Sequence, residues 1–398
     1  MTVTDPQTSG VQAAGEGCLH FELGEELSLV QDEARKFADD VLLPLATKHD
    51  REESISDDVY RQIGELGFWG LTIPEEFGGA GFNNQALAVV LEELNRACAA
   101  TGVAVSVHNS LLCAPLMKFG TDEQKARWLP KLATGEALGA YSLSEAGSGS
   151  DAAALSASAT RDGDEWVLNG TKLWVTSGDR AGLILVYMRT NPDAPKAKGI
   201  TAFLVPGDAP GLKVGKHEKK TGIRGSATVE LILDGVRLGA GDILGEVDRG
   251  FPVAMDTLAG GRIGIASQAV GIGQACLDAS IKYAMEREQF GKPIGHFQSI
   301  QHKIADMSTK LEASRLLVRR AAWLRDAGME CNRAASEAKL FASQSANYCA
   351  DEALQIHGGA GYTDHFHVER LFRDARITEI YEGATDIQRL VIARSLLR

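Results

Sequence analysis

The amino-acid sequence predicts a mainly α protein with a β domain in its middle, in the order helical domain, antiparallel β domain, helical bundle. Three observations predict it. Apolar residues recur at helical spacing from Glu25, β-rich runs bounded by turn residues take over from about Gly139, and long helical periods return after about Leu244. At 398 residues the chain is too long for one core and suits two or three domains.

Residues 1–24 are rich in small and polar residues and are expected to form a flexible tail. Leu27, Val30, Ala34, Phe37 and Val41 then mark a helix that Pro44 is expected to stop. Helices are expected over 57–66 and 84–99, with the loop 73–82 between them turned sharply by Gly78, Gly79 and Gly81. Helical segments continue to about Gly135, which assigns 25–138 to the first domain. EWVLNGTKLWVT, Glu165 to Thr176, reads as two β runs joined at Asn169-Gly170, a strong hairpin signal. Further runs at 182–188, 200–205 and 228–233 assign 139–246 to a small antiparallel sheet or barrel. In 247–398, Ile300, Ile304, Met307, Leu311, Val318 and Ala322 share one face of a helix roughly 42 Å long. A second long helix, from about Arg333 to His357, is expected to end on Gly358-Gly359 in a left-handed cap. Helices of that length imply a bundle, with a ligand held where the domains meet.

Composition narrows the function. The hydrophobic fraction of 44% and the charged fraction of 24% are those of a globular protein, and no apolar run reaches the ~18 residues of a bilayer span. No membrane association is expected. The first two dozen residues lack Lys and Arg but carry Asp5, Glu16 and Glu22, the wrong charge for a leader, so the mature chain is expected to begin near Met1. A net charge of -12 speaks against general binding to nucleic acid. Cys18, Cys98, Cys113, Cys276, Cys331 and Cys349 form no CxxC pair and no metal-ligand spacing. They read as reduced thiols in a reducing, cytoplasmic compartment, and no metal is expected.

Four stretches carry candidate chemistry. In RDARITEIYEGATDIQR, Arg373 to Arg389, Glu382 stands between Tyr381 and Gly383 at a break in helical sequence. Desolvation there would raise its proton affinity toward the working pH of a general base; the plainer reading is that Glu382 caps the helix through Ile387, Leu390 and Val391. YSLSEAGSGSD, Tyr141 to Asp151, offers hydroxyls and backbone N–H groups to a heterocycle or pyrophosphate. Its Gly147 to Ala152 fits a loose GxGxxA pattern, but a β run follows where a dinucleotide fold needs a helix, so that reading is rejected; a surface turn stays open. Trp174, with Val175 and Thr176 behind it, suits stacking on a flat ring or burial in a core. In EREQFGKPIGHFQSIQ, Arg287 suits a phosphate and Gln298 a polar ligand group, or the segment is a solvated helix end.

The order and spacing of these stretches resemble the acyl-CoA dehydrogenase family of flavoproteins over nearly the whole chain, from about Gly24. The resemblance also rests on PEEFGGAG, GIRGSAT, GRIGIASQAVGIGQACLDAS and QIHGGAGY. It is closest to the short-chain, butyryl-CoA type, notably in SVHNSLL and TLAGGRIGIASQ. It implies FAD as cofactor, a C-terminal four-helix bundle, a homotetramer, and electron-transfer flavoprotein as redox partner. It also implies that Glu382 removes the α-proton of a short-chain acyl-CoA while the β-hydrogen leaves as hydride to the flavin, giving a trans-2-enoyl-CoA. Tyr141, Leu143, Ser144, Gly149, Ser150, Trp174, Val175 and Thr176 match flavin-lining positions. Arg287, Phe290, Gln298, Gln355, Gly358 and Gly359 match positions that complete the FAD site, some across a subunit interface. Ala384, Thr385 and Asp386 match a cofactor-contacting turn. Ser150, Gly261, Arg262 and Gly383 match substrate-side positions.

Some branches of the family carry the base just before the arginine matched by Arg262; Gly261 stands there, which leaves Glu382. Glu379 is the competitor, but its spacing from Arg376 and Arg373 suggests a structural ion pair. Two departures weaken parts of the match. Ala384 stands where the family commonly has Thr, and Ala259 where close relatives often have Asp toward the pantetheine arm. Lys216, Lys219, Lys220 and Arg224 form the densest basic cluster, read either as a CoA phosphate contact or as a solvated loop. The alternatives carried forward are a short branched-chain acyl-CoA dehydrogenase, an acyl-CoA oxidase and a non-catalytic flavoprotein.

Overall fold

The computed structural model describes residues 23–397, so most of the expected tail, and Cys18 with it, lies outside the described residues. The first domain holds α1 (Glu25–Phe37), α2 (Leu43–Glu52), α3 (Asp57–Glu65), α4 (Asn84–Ala97), α5 (Ala99–Val107), α6 (Ala114–Phe119) and α7 (Asp122–Thr134). Their ends follow local rules. Asn83 caps α4 by accepting from the Ala86 N–H, and Thr121 with Gln124 forms a capping box on α7.

Pro44 does not stop the first helix. A π-helical segment, Ala38–Leu42, carries the chain into α2, where Pro44 occupies the first turn and its missing N–H costs no hydrogen bond. The same device, a π segment at His108–Cys113 ahead of Pro115, joins α5 to α6. The resulting helix, Ala99–Phe119, has 21 residues and a mean hydropathy of 1.3 over its most apolar window, so one stretch does have the length and composition of a membrane span. That window is 89% buried inside the protein, which makes it a core helix.

The middle domain is one sheet of eight strands: β1 (Leu138–Ser142), β2 (Ser158–Asp162), β3 (Glu165–Thr176), β4 (Ala181–Arg189), β5 (Ile200–Pro206), β6 (Leu212–His217), β7 (Thr228–Gly239) and β8 (Ile243–Leu244). The order is β6-β7-β3-β2-β4-β5-β8, with β1 added parallel to β4 and every other long pairing antiparallel. Asn169-Gly170 is not a hairpin. It lies inside β3 at a register shift opposite β7, where Gly170 has φ 146° and a side chain would collide with Ala157. Asn169 accepts there from the Gly235 N–H. The turn is Gly163-Asp164, between the paired residues Asp162 and Glu165.

The last domain is built on α8 (Gly250–Glu286), α9 (Gln298–Asp326) and α10 (Asn332–His357), with a two-strand hairpin of β9 (Glu288–Gln289) and β10 (Lys292–Pro293) between the first two. Two shorter helices, α11 (Val368–Arg376) and α12 (Thr385–Leu396), close it. The architecture is therefore helices, sheet, helices. Gly358 ends α10 at φ 60° and ψ −141°, a positive φ but not the expected left-handed cap. One core joins the outer domains, packing Val90, Leu94 and Val103 with Ile265, Ile272 and Leu311. A second ties the sheet to the helices through Leu116, Leu129, Leu185, Tyr187 and Val253. The site lies where these cores meet.

Candidate active site

Glu382 sits in the turn between α11 and α12, in the left-handed region at φ 50°, a conformation that costs a non-glycine residue energy. It does not cap α12. Ala384 holds the N-cap position and the helix has no side-chain cap. The Glu382 Oε2 atom is buried without a hydrogen-bond partner among the described residues. It lies against α8 at Gly261, where any side chain would collide with it. Burial raises the proton affinity of this carboxyl above the ordinary range, and Lys339 and then Arg262 pull it back.

The turn around Glu382 is bolted on every side. The buried ammonium of Lys339, on α10, donates to the carbonyls of Tyr381 (2.6 Å) and Gly383. Gln388 Nε2 donates to the Gly383 carbonyl at 2.8 Å, and Tyr381 Oη donates to Gln268 Oε1 on α8. Arg262, also on α8, donates through Nη1 to Asn332 and to Ser336 at 3.3 Å. Tyr141 stacks obliquely on Tyr187 at 5.4 Å and keeps its hydroxyl buried, within electrostatic reach of Glu382 and Arg262. Glu379 is ion-paired to Arg376. Arg373 takes no part in that pair; it binds Asp50 at 2.7 Å and Glu369 at 2.9 Å instead.

The serine-rich loop is exposed at Ala146, Gly147, Gly149, Ser150 and Asp151 and is anchored from behind. Glu145 and Lys172 form a buried ion pair at 2.7 Å behind it, and Lys172 also donates to the Leu143 carbonyl at 3.2 Å. Glu145 accepts further bonds from the Ser156 N–H and hydroxyl and from the Ala157 N–H. Burial opposes both charges, and the pair's mutual attraction holds Glu145 below the usual carboxylate range. The loop is thereby fixed with Gly149 and Ser150 outward. A register shift in β3 between Lys172 and Val175 turns Trp174 out at φ 58°, 56% exposed, so it is no core tryptophan. The Leu173 N–H binds the Ser144 carbonyl at 2.9 Å, which sets Trp174 beside the loop. Val175 packs its side chain into the sheet core and pairs its main chain with Val229 of β7. These residues fit a flavin: an exposed indole, open hydroxyls on a pinned loop and a buried unpaired carboxylate nearby.

The other expected cofactor residues lie apart. Arg287 caps the far end of α8, 25 residues beyond Arg262 and so about 37 Å along the axis. Phe290, 92% exposed, Gln298, Gln355, Gly358 and Gly359 share that exposed end. Ala384, Thr385 and Asp386 form the first turn of α12, Asp386 pairing with Arg389 at 2.9 Å. Ala259 lines a cleft of about 850 Å³ with Lys118, Met255, Arg325, Met329 and Asn332. In the basic cluster Lys216, Lys220 and Arg224 are engaged by Glu218, the Ser226 carbonyl and Glu53, and Lys219 is exposed. Sequence reading passed over Glu145, Lys172, Gln268, Lys339 and Gln388. Each lies in a segment whose pattern suggests an ordinary helix, strand or loop, and only the tertiary fold makes it a partner.

Fold and site together define the class as FAD-dependent dehydrogenases built from helices, sheet and helices. The chain belongs to the acyl-CoA dehydrogenase family: the N-terminal, middle and C-terminal domain models match residues 24–136, 140–236 and 248–397. It is 48% identical over 377 residues to the short-chain specific acyl-CoA dehydrogenase, mitochondrial, of Mus musculus, covering 95% of this chain and 91% of that one. Butyryl-CoA dehydrogenase from Megasphaera elsdenii superposes with a TM-score of 0.94 at 38% identity, covering 96% of this chain and all of that one. A glutaryl-CoA dehydrogenase from Mycobacterium smegmatis in complex with FADH2 superposes at 0.89, with 32% identity over 94% of this chain and 95% of that one. The chain is a flavoprotein enzyme acting on acyl-CoA.

Proposed function

We propose that this enzyme dehydrogenates a short-chain acyl-CoA, of about four to six carbons, to the trans-2-enoyl-CoA, with Glu382 as the base. The observation that carries the assignment is the buried, unpartnered Oε2 of Glu382 against Gly261. A carboxylate without a hydrogen-bond donor is a stronger base than a solvated one, and its raised proton affinity suits abstraction near neutral pH. It takes the α-proton beside the thioester. The negative charge that develops on the thioester oxygen needs a fixed donor, and the Glu382 N–H has no acceptor among the described residues. Ser144, Gly149, Ser150, Trp174 and Thr176 would hold FAD, whose oxidised ring, when bound, would supply the acceptor for the β-hydride.

Arg262 and Gly383 flank the acyl group, and the cleft lined by Ala259 and Asn332 leads the pantetheine arm in; Asn332 accepts from Arg262, which links cleft to base. Similarity to short-chain and butyryl-CoA enzymes supports the chain length. Electrons pass to an electron-transfer flavoprotein in the cytoplasm. The separation of Arg287 from Glu382 along α8 supports a homotetramer in which a neighbouring copy completes each FAD site.

Anaerobic titration of the purified enzyme with butyryl-CoA, isobutyryl-CoA and octanoyl-CoA, followed at the oxidised flavin band, tests this reading. Bleaching by butyryl-CoA at the lowest ratio is expected. Preferential bleaching by isobutyryl-CoA would assign a branched-chain enzyme, and none by any thioester would refute the activity.

A further inference from the structure

A buried lysine needs a reason, since an ammonium loses its hydration on burial and seldom stays inside without a carboxylate partner. Lys339 is 1% exposed and has no carboxylate within ion-pair distance among the described residues. Its two hydrogen bonds go instead to the carbonyls of Tyr381 and Gly383, the residues immediately before and after Glu382. Between those two anchors Glu382 holds its left-handed φ, and its carboxylate has nothing of its own to lean on but the bare backbone at Gly261.

We propose that Lys339 is the positioning residue of the base: one buried ammonium clamps the main chain on both sides of Glu382, holds the carboxylate against Gly261 and sets its charge. The inference rests on the assignment of Glu382 as the base. A lysine suits the task better than an arginine, because a compact ammonium with rotatable donors fits between two carbonyls that a planar guanidinium would push apart.

The charge follows from the same placement. Glu382 is faced by Lys339 from α10, Arg262 from α8, Tyr141 from β1 and Tyr381 from its own turn, with Glu379 further along toward Lys339. Burial raises the proton affinity of Glu382; Lys339 is the stronger of the two cations that lower it again, and burial in turn weakens the proton affinity of Lys339 itself. Removing the lysine charge therefore moves ionisation of the base to higher pH.

The test compares FAD-loaded wild type, Lys339→Met and Lys339→Arg in kcat and kcat/KM across pH 5.5–9.5 with butyryl-CoA. In Lys339→Met the acidic limb of both profiles should rise by about one unit or more, so that activity at pH 6.5 falls at least ~10-fold, recovers in part by pH 9, and leaves KM within ~3-fold. Lys339→Arg should keep the wild-type limb with a lower plateau, because charge is kept and fit is lost. An unshifted limb in Lys339→Met overturns the proposal. So does failure of both variants to fold or to hold FAD, which would make Lys339 a residue of the fold alone. Wild-type flavin that no thioester reduces defeats the activity; an active wild type beside an unchanged Lys339→Met defeats only this inference.

Discussion

At the residue scale the enzyme keeps a carboxylate where folding alone would not have it. Burial raises the proton affinity of Glu382 in the folded state, so the protonated form is favoured on folding. Its contribution to stability is complete below the unfolded value and is lost as pH rises through the raised one. Activity needs the ionised form and grows across that same window, so stability and turnover pull in opposite directions at one atom. Glu382→Gln should lower kcat by at least ~10³-fold with FAD retained, while its melting temperature gains on wild type as pH rises from 5 to 9. A variant that melts below wild type at every pH would show that the carboxylate is not desolvated as described. Tyr381-Glu382-Gly383 was legible in sequence because an acidic residue between a ring and a glycine interrupts helical periodicity. Lys339 was not, because within NRAASEAKLFASQ a lysine at helical spacing looks like any solvated one, and only α10 packed on the turn makes it a partner.

At the element scale, one defect in regular structure and one buried ion pair shape the face proposed for the cofactor. The register shift in β3 turns Trp174 outward, and the buried Lys172–Glu145 pair stiffens the loop beside it. Removing one member leaves the other charged and unpaired in the interior, a penalty of about 3–5 kcal/mol. Lys172→Met should therefore melt well below wild type and lose FAD on gel filtration, whereas Trp174→Ala, which removes an exposed ring, should shed FAD with little change in the melting temperature of the apoprotein. Equal thermal losses in the two variants would contradict this division between support and contact. The alternation and the turn residues made the sheet legible, yet its connectivity was not. Asn-Gly signals a hairpin only when the chain must reverse; here the same dipeptide relieves crowding against Ala157 in mid-strand, and the reversal falls to Gly163-Asp164. Pro44 misled in the same way, since a π segment before it lets the helix run on, as another does ahead of Pro115.

At the scale of the whole molecule, α8 is the common axis. It carries Gly261 and Arg262, expected on the substrate side, about a third of the way along, and Arg287 just past its C-terminal end, ~37 Å further on. If a neighbouring copy supplies Arg287 to the flavin beside Glu382, then two inactive chains can repair each other. A subunit with Arg287→Glu keeps a working base but gives its neighbour a damaged cofactor contact; a subunit with Glu382→Gln does the reverse. Pairing the two by co-expression creates one site with an intact base and an intact Arg287, and a second site with neither. Random pairing leaves about a quarter of all sites whole. Co-expressed protein, purified through two different tags to select mixed tetramers, should recover butyryl-CoA turnover to roughly a quarter to a third of wild type per tetramer, while mixtures of the separately purified variants stay inactive until subunits exchange. Recovery fails if Arg287 acts within its own chain, because each mixed assembly then holds one site lacking the base and one lacking the arginine.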